Sequence, residues 1–214
     1  MAIVHQTTLT PSKLELLEAW LPTRRWYRGT TPRLSKAGGF RLDDPDGVVG
    51  IEFLLLIDDS ATGPQLYHVP LTYRGAPLHG ADEALVGTME HGVLGRRWAY
   101  DATRDPVAVN AVVDLLAGRA TAQAQNYSDT VDSAVQVRRV DLPDNSVQPI
   151  DTDTHTDLPV SSDLTLRVHR LPVDPLPDAV GAVAAPYVLA GVRRSVVEVV
   201  SVRTRATAPE ENQV

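Results

Sequence analysis

The densest chemistry in the sequence is the run Arg24-Arg25-Trp26-Tyr27-Arg28-Gly29. Guanidinium groups hold phosphates and carboxylates through paired N–H donors, and Trp and Tyr rings stack on sugars or bases. The run is therefore a candidate binding site for a sugar phosphate. Trp98 and Tyr100 are candidates for the same ligand, because with Arg96 they share one face of a strand and could form an aromatic platform. A structural reading stands beside this one. Trp26 and Tyr27, placed directly after a helix, can anchor that helix to a sheet while the arginines cover the ring edges and reach water.

Other chemistries find less support. The run Asp151-x-Asp153-x-His155-x-Asp157 offers oxygen and imidazole ligands, but it lacks the glycine and distal glutamate of a calcium loop and reads as a solvated acidic loop. The six histidines are scattered without an H-E-x-x-H pair. There is no G-x-S-x-G elbow and no phosphate loop ending in Gly-Lys-Ser/Thr, and the two lysines, Lys13 and Lys36, lie outside any kinase-like V-A-I-K strand. We assign no catalytic residue, metal site or cofactor, and expect a non-enzyme.

These residues must be positioned by regular elements. Ser12 followed by Glu15 has capping-box spacing and predicts a helix over Pro11 to Trp20, stopped by Pro22. Half-buried strands are predicted to end at Phe40 and Leu42 and to run from Val48 to Ile57, joined by the turn Asp43 to Gly47. Further strands are predicted over Leu66 to Tyr73, Leu85 to Met89 and Leu94 to Tyr100. Pro70 lacks a ladder donor and predicts an edge position or a bulge. Asp105 as cap, Pro106 at the first helical position and Gly118 as terminator bound a second helix, whose face is Val109, Val112, Val113 and Leu116. That helix is expected on the apolar face of the sheet. A strand is predicted over Ala134 to Val140. Residues 141–162 read as an acidic loop or linker, and 163–205 as a strand-rich extension of the same domain or a small second layer. That extension includes strands over Leu164 to Val168, Tyr187 to Val192 and Val196 to Val202. Residues 206–214 read as a disordered tail.

The chain has 214 residues, 43% of them hydrophobic, enough for one substantial core. A net charge of -7 argues against nucleic acid as a partner. Charge is divided along the chain: Arg24 to Leu42 carries six cations and no acid, and Asp141 to Asp163 carries six aspartates and no Lys or Arg. Cysteine is absent, which removes disulfides and thiolate chemistry. No apolar run approaches the ~20 residues of a spanning helix, and the start lacks the basic-then-apolar order of a signal peptide. The expectation is a cytoplasmic protein without a membrane partner.

The ordered series Leu21 to Gly29, Ile51 to Leu56, Tyr67 to Tyr73, Ala84 to Gly87, Tyr100-Asp101 and Asp105-Pro106 resembles the N-terminal cap domain of actinobacterial maltokinases, over roughly Pro11 to Val140. The resemblance implies an α+β fold: a cystatin-like curved antiparallel sheet with a packed helix over residues 1–140, followed here by additional C-terminal strands. It also implies an association with maltose, trehalose and α-glucan metabolism. The kinase lobe that follows the cap in that family has no counterpart in these residues, so the resemblance transfers no catalytic residue. The expected role is a cap-like accessory protein that binds or modulates a kinase or glucan-metabolism enzyme. The alternatives are a sugar-phosphate or glucan-binding module using the Arg/Trp/Tyr cluster, and an enzyme with an unrecognised site.

Overall fold

The computed structural model describes residues 8–60, 62–143 and 148–204; the tail expected at 206–214 falls outside them. The capping box forms in both directions: the Glu15 N–H donates to Ser12 Oγ, and the Ser12 N–H donates to the Glu15 carboxylate at 2.7 Å. Helix α1 accordingly spans Lys13–Trp20, two residues shorter at its start than predicted, because Ser12 as cap has extended backbone geometry. A 3-10 turn containing Pro22 continues to Thr23. The other helix, α2 (Pro106–Ala117), has the predicted caps: Asp105 accepts the Val107 N–H, and Gly118 adopts the left-handed conformation. Among the described residues no helix is long and apolar enough to cross a membrane.

The strands are β1 (Leu9–Thr10), β2 (Leu34–Leu42), β3 (Gly50–Asp58), β4 (Gln65–Arg74), β5 (Leu85–His91), β6 (Gly95–Asp101), β7 (Gln136–Arg138), β8 (Ile150–Asp151), β9 (His155–Pro159), β10 (Leu164–Val173), β11 (Gly181–Leu189) and β12 (Val192–Thr204). They pair in the order β1-β5-β6-β4-β3-β2-β11-β12-β10-β9-β8, with β7 also on β11. The result is a mostly antiparallel α+β architecture.

Several expectations are corrected. Residues 141–162 read from sequence as an acidic loop or linker, yet β8 and β9 form there, because their aspartates and threonines find partners on other elements. The predicted strand Ala134 to Val140 shortens to β7. The predicted strand Tyr187 to Val192 straddles a hairpin, since Ala190 and Gly191 both take positive φ (51° and 74°) and turn the chain between β11 and β12. Pro70 lies inside the strand order rather than at an edge. The β6 ladder begins one residue later, at Leu71, so β4 is paired only with β3 where the missing N–H would matter.

Strand β3 is buried on both faces, not one. Ile51, Phe53, Leu55 and Ile57 face the larger core, shared with α2 and with Leu158, Leu166, Val168, Val183 and Val200 of the C-terminal strands. Leu54 and Leu56 face a smaller core with Leu17 and Trp20 of α1, Trp26, Tyr67, Val69 and Leu71. The two helices therefore pack on opposite faces of the same sheet, since neither helix nor sheet can bury its apolar side alone.

Among the described residues, the C-terminal strands join the first sheet through a single register pair, Tyr187 with Gly38. Glycine is required at this seam. A Cβ on Gly38 would stand 2.8 Å from the Pro186 carbonyl oxygen, and Gly39 has φ +130° with a Cβ position only 2.0 Å from the Phe53 carbonyl oxygen.

Strand β10 also returns to β4. His68 Nδ1–H donates to the His169 carbonyl at 2.9 Å, and the imidazole is fully buried. Burial pushes its pKa from 6.5 down to about 3. The unfolded chain therefore binds a proton that the folded chain refuses, and stability declines as pH falls below about 6.5. Between pH 6.5 and 5, urea denaturation should show stability falling by up to about 1.4 kcal/mol per pH unit, the limit for one proton. The His68→Gln variant should flatten that slope. Glu52, Asp58, Asp151 and Asp157 have pKa values held below their ordinary ones, so their contributions are lost only at lower pH.

Candidate functional site

The turn after α1 directs its side chains in different directions. Trp26 is 1% exposed, edge-on to Trp20 with ring centroids 5.8 Å apart and 6.0 Å from the Tyr67 ring. Tyr27 is half-buried, and its hydroxyl donates to Asp58 Oδ2 at 2.7 Å. Burial, with the Asp58 carboxylate adding to it, pushes the Tyr27 phenol up to about 12. Burial works against ionisation of Asp58, but N–H and O–H donors from Arg33, Tyr27 and Ser60 outweigh it and keep its pKa low. The Arg28 side chain is exposed, while its N–H donates to Tyr67 Oη at 3.0 Å. Trp26 and Tyr27 thus follow the structural reading of the motif.

The arginines that precede them border a cleft. Arg24 lies over the Trp20 ring, 4.8 Å from Cζ to centroid, and its Nε donates to Thr23 Oγ1. With Glu83, Ala84, Asp101, Arg104 and Asp151 it lines a cleft of about 300 Å³. Arg25 reaches the acidic segment, with Nε to Asp153 Oδ1 at 2.9 Å and a second donor to the Asp151 carbonyl.

Below Asp101 and Asp151 sits Arg170, fully buried, with its guanidinium 5.2 Å from the Trp26 ring centroid. Arg170 donates from Nη2 to Asp101 Oδ2 at 2.6 Å and to Thr103 Oγ1, and from Nε to Thr156 Oγ1. Each threonine passes the polarisation on: Thr103 Oγ1 donates to Asp101 Oδ1, and Thr156 Oγ1 to Asp151 Oδ1. Arg104 donates to the other Asp151 oxygen at 2.8 Å. Burial opposes ionisation of Asp151, but Thr156, Arg170 and Arg104 together hold its pKa below the ordinary value.

The acidic run is therefore a set of arginine partners and not a solvated loop. Asp157 follows the same pattern, bidentate to Arg167. Among the described residues, no group of three His, Asp or Glu converges to hold a metal ion.

Trp98 and Tyr100 do not join the cluster. They pair with Arg74 and Thr72, on the opposite sheet face from Leu71 and its partner Asp101. Tyr100 is buried and accepts the Leu78 N–H at its hydroxyl, and Trp98 is half-buried under Arg96. A single ligand spanning Arg24, Trp26, Trp98 and Tyr100 does not fit this arrangement.

The residues that sequence reasoning missed are Arg104, Thr103, Thr156 and above all Arg170. The only available signal for Arg170 was its place two residues beyond Val168 in a strand whose alternate residues Leu166 and Val168 are apolar.

Residues 20–105 match the family model described as the maltokinase N-terminal cap domain. The chain resembles that cap over the matched segment, which carries Arg24 to Arg28, Asp101 and Arg104. Arg170 and Asp151, which complete the network, lie beyond it.

Removing one member of a buried ion pair leaves the other charge without compensation. Arg170→Met should destabilise the protein by about 3–5 kcal/mol in chemical denaturation. Combining it with Asp101→Leu should recover part of the loss, because the stranded carboxylate is then gone.

Proposed function

We propose that this chain acts as a non-catalytic cap module that binds or modulates a kinase or another enzyme of maltose, trehalose or α-glucan metabolism, in the cytoplasm. The observation that carries this reading is the match of residues 20–105 to the maltokinase cap model. The packing of α1 across one face of the sheet supports a cystatin-like description of the matched portion. The burial of Trp26 supports a structural role for the motif, which leaves surfaces other than the aromatic rings to meet a partner.

The test is sedimentation of the purified chain with a purified maltokinase catalytic lobe, alongside assays of the kinase rate. A stoichiometric complex or a changed rate is expected. No complex and no rate change, with this kinase and with a panel of trehalose- and glucan-metabolising enzymes, would overturn the reading.

A second reading rests on the cleft. The cleft is lined by Arg24 and Arg104 against Glu83, Asp101 and Asp151, with the buried Arg170 bonded to Asp101 beneath it, so the site has no positive excess for an anion. Such a cleft offers both donors and acceptors, which suits a hydroxylated ligand such as a glucan fragment better than a sugar phosphate. Calorimetry with maltose, maltooligosaccharides, trehalose and maltose phosphate should then show saturable binding of a neutral sugar, weakened several-fold by Arg24→Met and unchanged by Trp98→Ala. Absence of saturable binding by every one of them would remove this reading and leave the first untouched.

A further inference from the structure

Five charged side chains line the cleft bordered by Arg24, and three of them are already matched by an opposite charge. Asp101 accepts from the Arg170 guanidinium at 2.6 Å, and Asp151 accepts from Arg104 at 2.8 Å. Arg24 and Glu83 remain. Arg24 caps the 3-10 turn after α1, where the Trp20 ring and Thr23 Oγ1 hold its guanidinium by one face and by Nε. Its two terminal nitrogens have no acceptor among the described residues. Glu83 sits in the 3-10 turn Asp82–Ala84 that leads into β5. Its side chain is exposed, and among the described residues nothing donates to its carboxylate. Both residues line the same cleft of about 300 Å³, yet they form no ion pair with each other.

A guanidinium can only donate and a carboxylate can only accept. Two adjacent hydroxyls of a neutral sugar satisfy both groups at once: an oxygen accepts from Arg24, and the O–H hydrogens are donated to Glu83. A phosphate monoester cannot do the same, because it carries nearly two negative charges at neutral pH and has acceptors where Glu83 needs a donor. Specificity arises as much from a group that penalises the wrong ligand as from one that suits the right one. Asp101 and Asp151 are poorly placed for that role, since Arg170 and Arg104 already offset their charges.

Resting on the neutral-sugar reading of this cleft, we propose that Glu83 is its specificity-determining residue. With Arg24 it grips adjacent hydroxyls of an unphosphorylated sugar, and its charge turns a phosphorylated one away. Without that charge Arg24 is unmatched, and the cleft becomes an anion site.

The experiment is calorimetry on the full chain and on Glu83→Gln, with maltose and maltose phosphate as probes. The wild type should bind maltose and discriminate against maltose phosphate by about tenfold. Glu83→Gln keeps an acceptor oxygen and loses the charge, so maltose should weaken by about threefold or less while maltose phosphate tightens by about tenfold, a gain that shrinks as salt is raised. Glu90→Gln removes the same charge from the exposed far end of β5 and should change neither affinity. An unchanged preference in Glu83→Gln, or the same gain in Glu90→Gln, would overturn the role of Glu83 and leave the neutral-sugar reading standing. A wild type that binds no maltose would remove that reading, and the grip on hydroxyls with it. The exclusion by Glu83 is then upheld if maltose phosphate binds Glu83→Gln and not the wild type, and overturned if it binds both or neither.

Discussion

A guanidinium with no exposed surface must find its acceptors inside the protein, and Arg170 imposes that requirement on everything around it. Taking a charge out of water costs several kcal/mol even after relaxation, so the site holds only when a carboxylate and further oxygens stand at hydrogen-bond distance. Asp101, Thr103 and Thr156 meet that need for Nε and Nη2 from the end of β6, the turn before α2 and strand β9, while Nη1 is buried without an acceptor among the described residues. The Trp26 face closes the remaining side. The position of β10 against the matched cap segment is thereby coupled to the turn that follows α1. The motif residue Trp26 and the extension residue Arg170 are parts of one packing unit.

The charge division along the sequence has the same outcome. The basic segment after α1 and the acidic segment after β7 look like separate surfaces when read in order, yet they meet: Arg25 binds Asp153, and Arg104 and Thr156 bind Asp151. Of the candidate ligand-binding arginines, Arg25 is thus drawn into holding two parts of the chain together. Arg24 stays at the cleft wall, stacked on Trp20 with its Nε on Thr23, and the Arg28 side chain is exposed.

Elements whose signals are local were legible in the sequence. Ser12 and Glu15, Asp105 and Pro106, and Gly118 act within a turn of the helices they bound, and the alternation in β4 reports directly which residues face α1. Strand β11 was hidden because its small residues, Ala182, Ala184 and Ala185, and its Pro186 have low strand propensity; pairing with β12, β7 and β2 decides it instead. Strands β8 and β9 were hidden for a related reason, since an aspartate-rich run looks solvated unless its arginine partners are known. The network around Arg170 was the least legible feature. Its central bond joins residues 69 positions apart, and nothing near Asp101 in sequence announces it.

The seam at Gly38 has a consequence for how the cap portion is handled as a separate piece. Strand β2 would be the open margin of the first sheet if β11 did not lie beside it, and an unprotected margin is a template for pairing with other chains. The strands beyond the matched segment also supply one wall of the core that contains Phe40, Phe53 and α2. Excised at the boundary of the family match, the segment would expose both an apolar wall and a bare strand. In this protein the C-terminal strands therefore serve as a built-in guard against self-association.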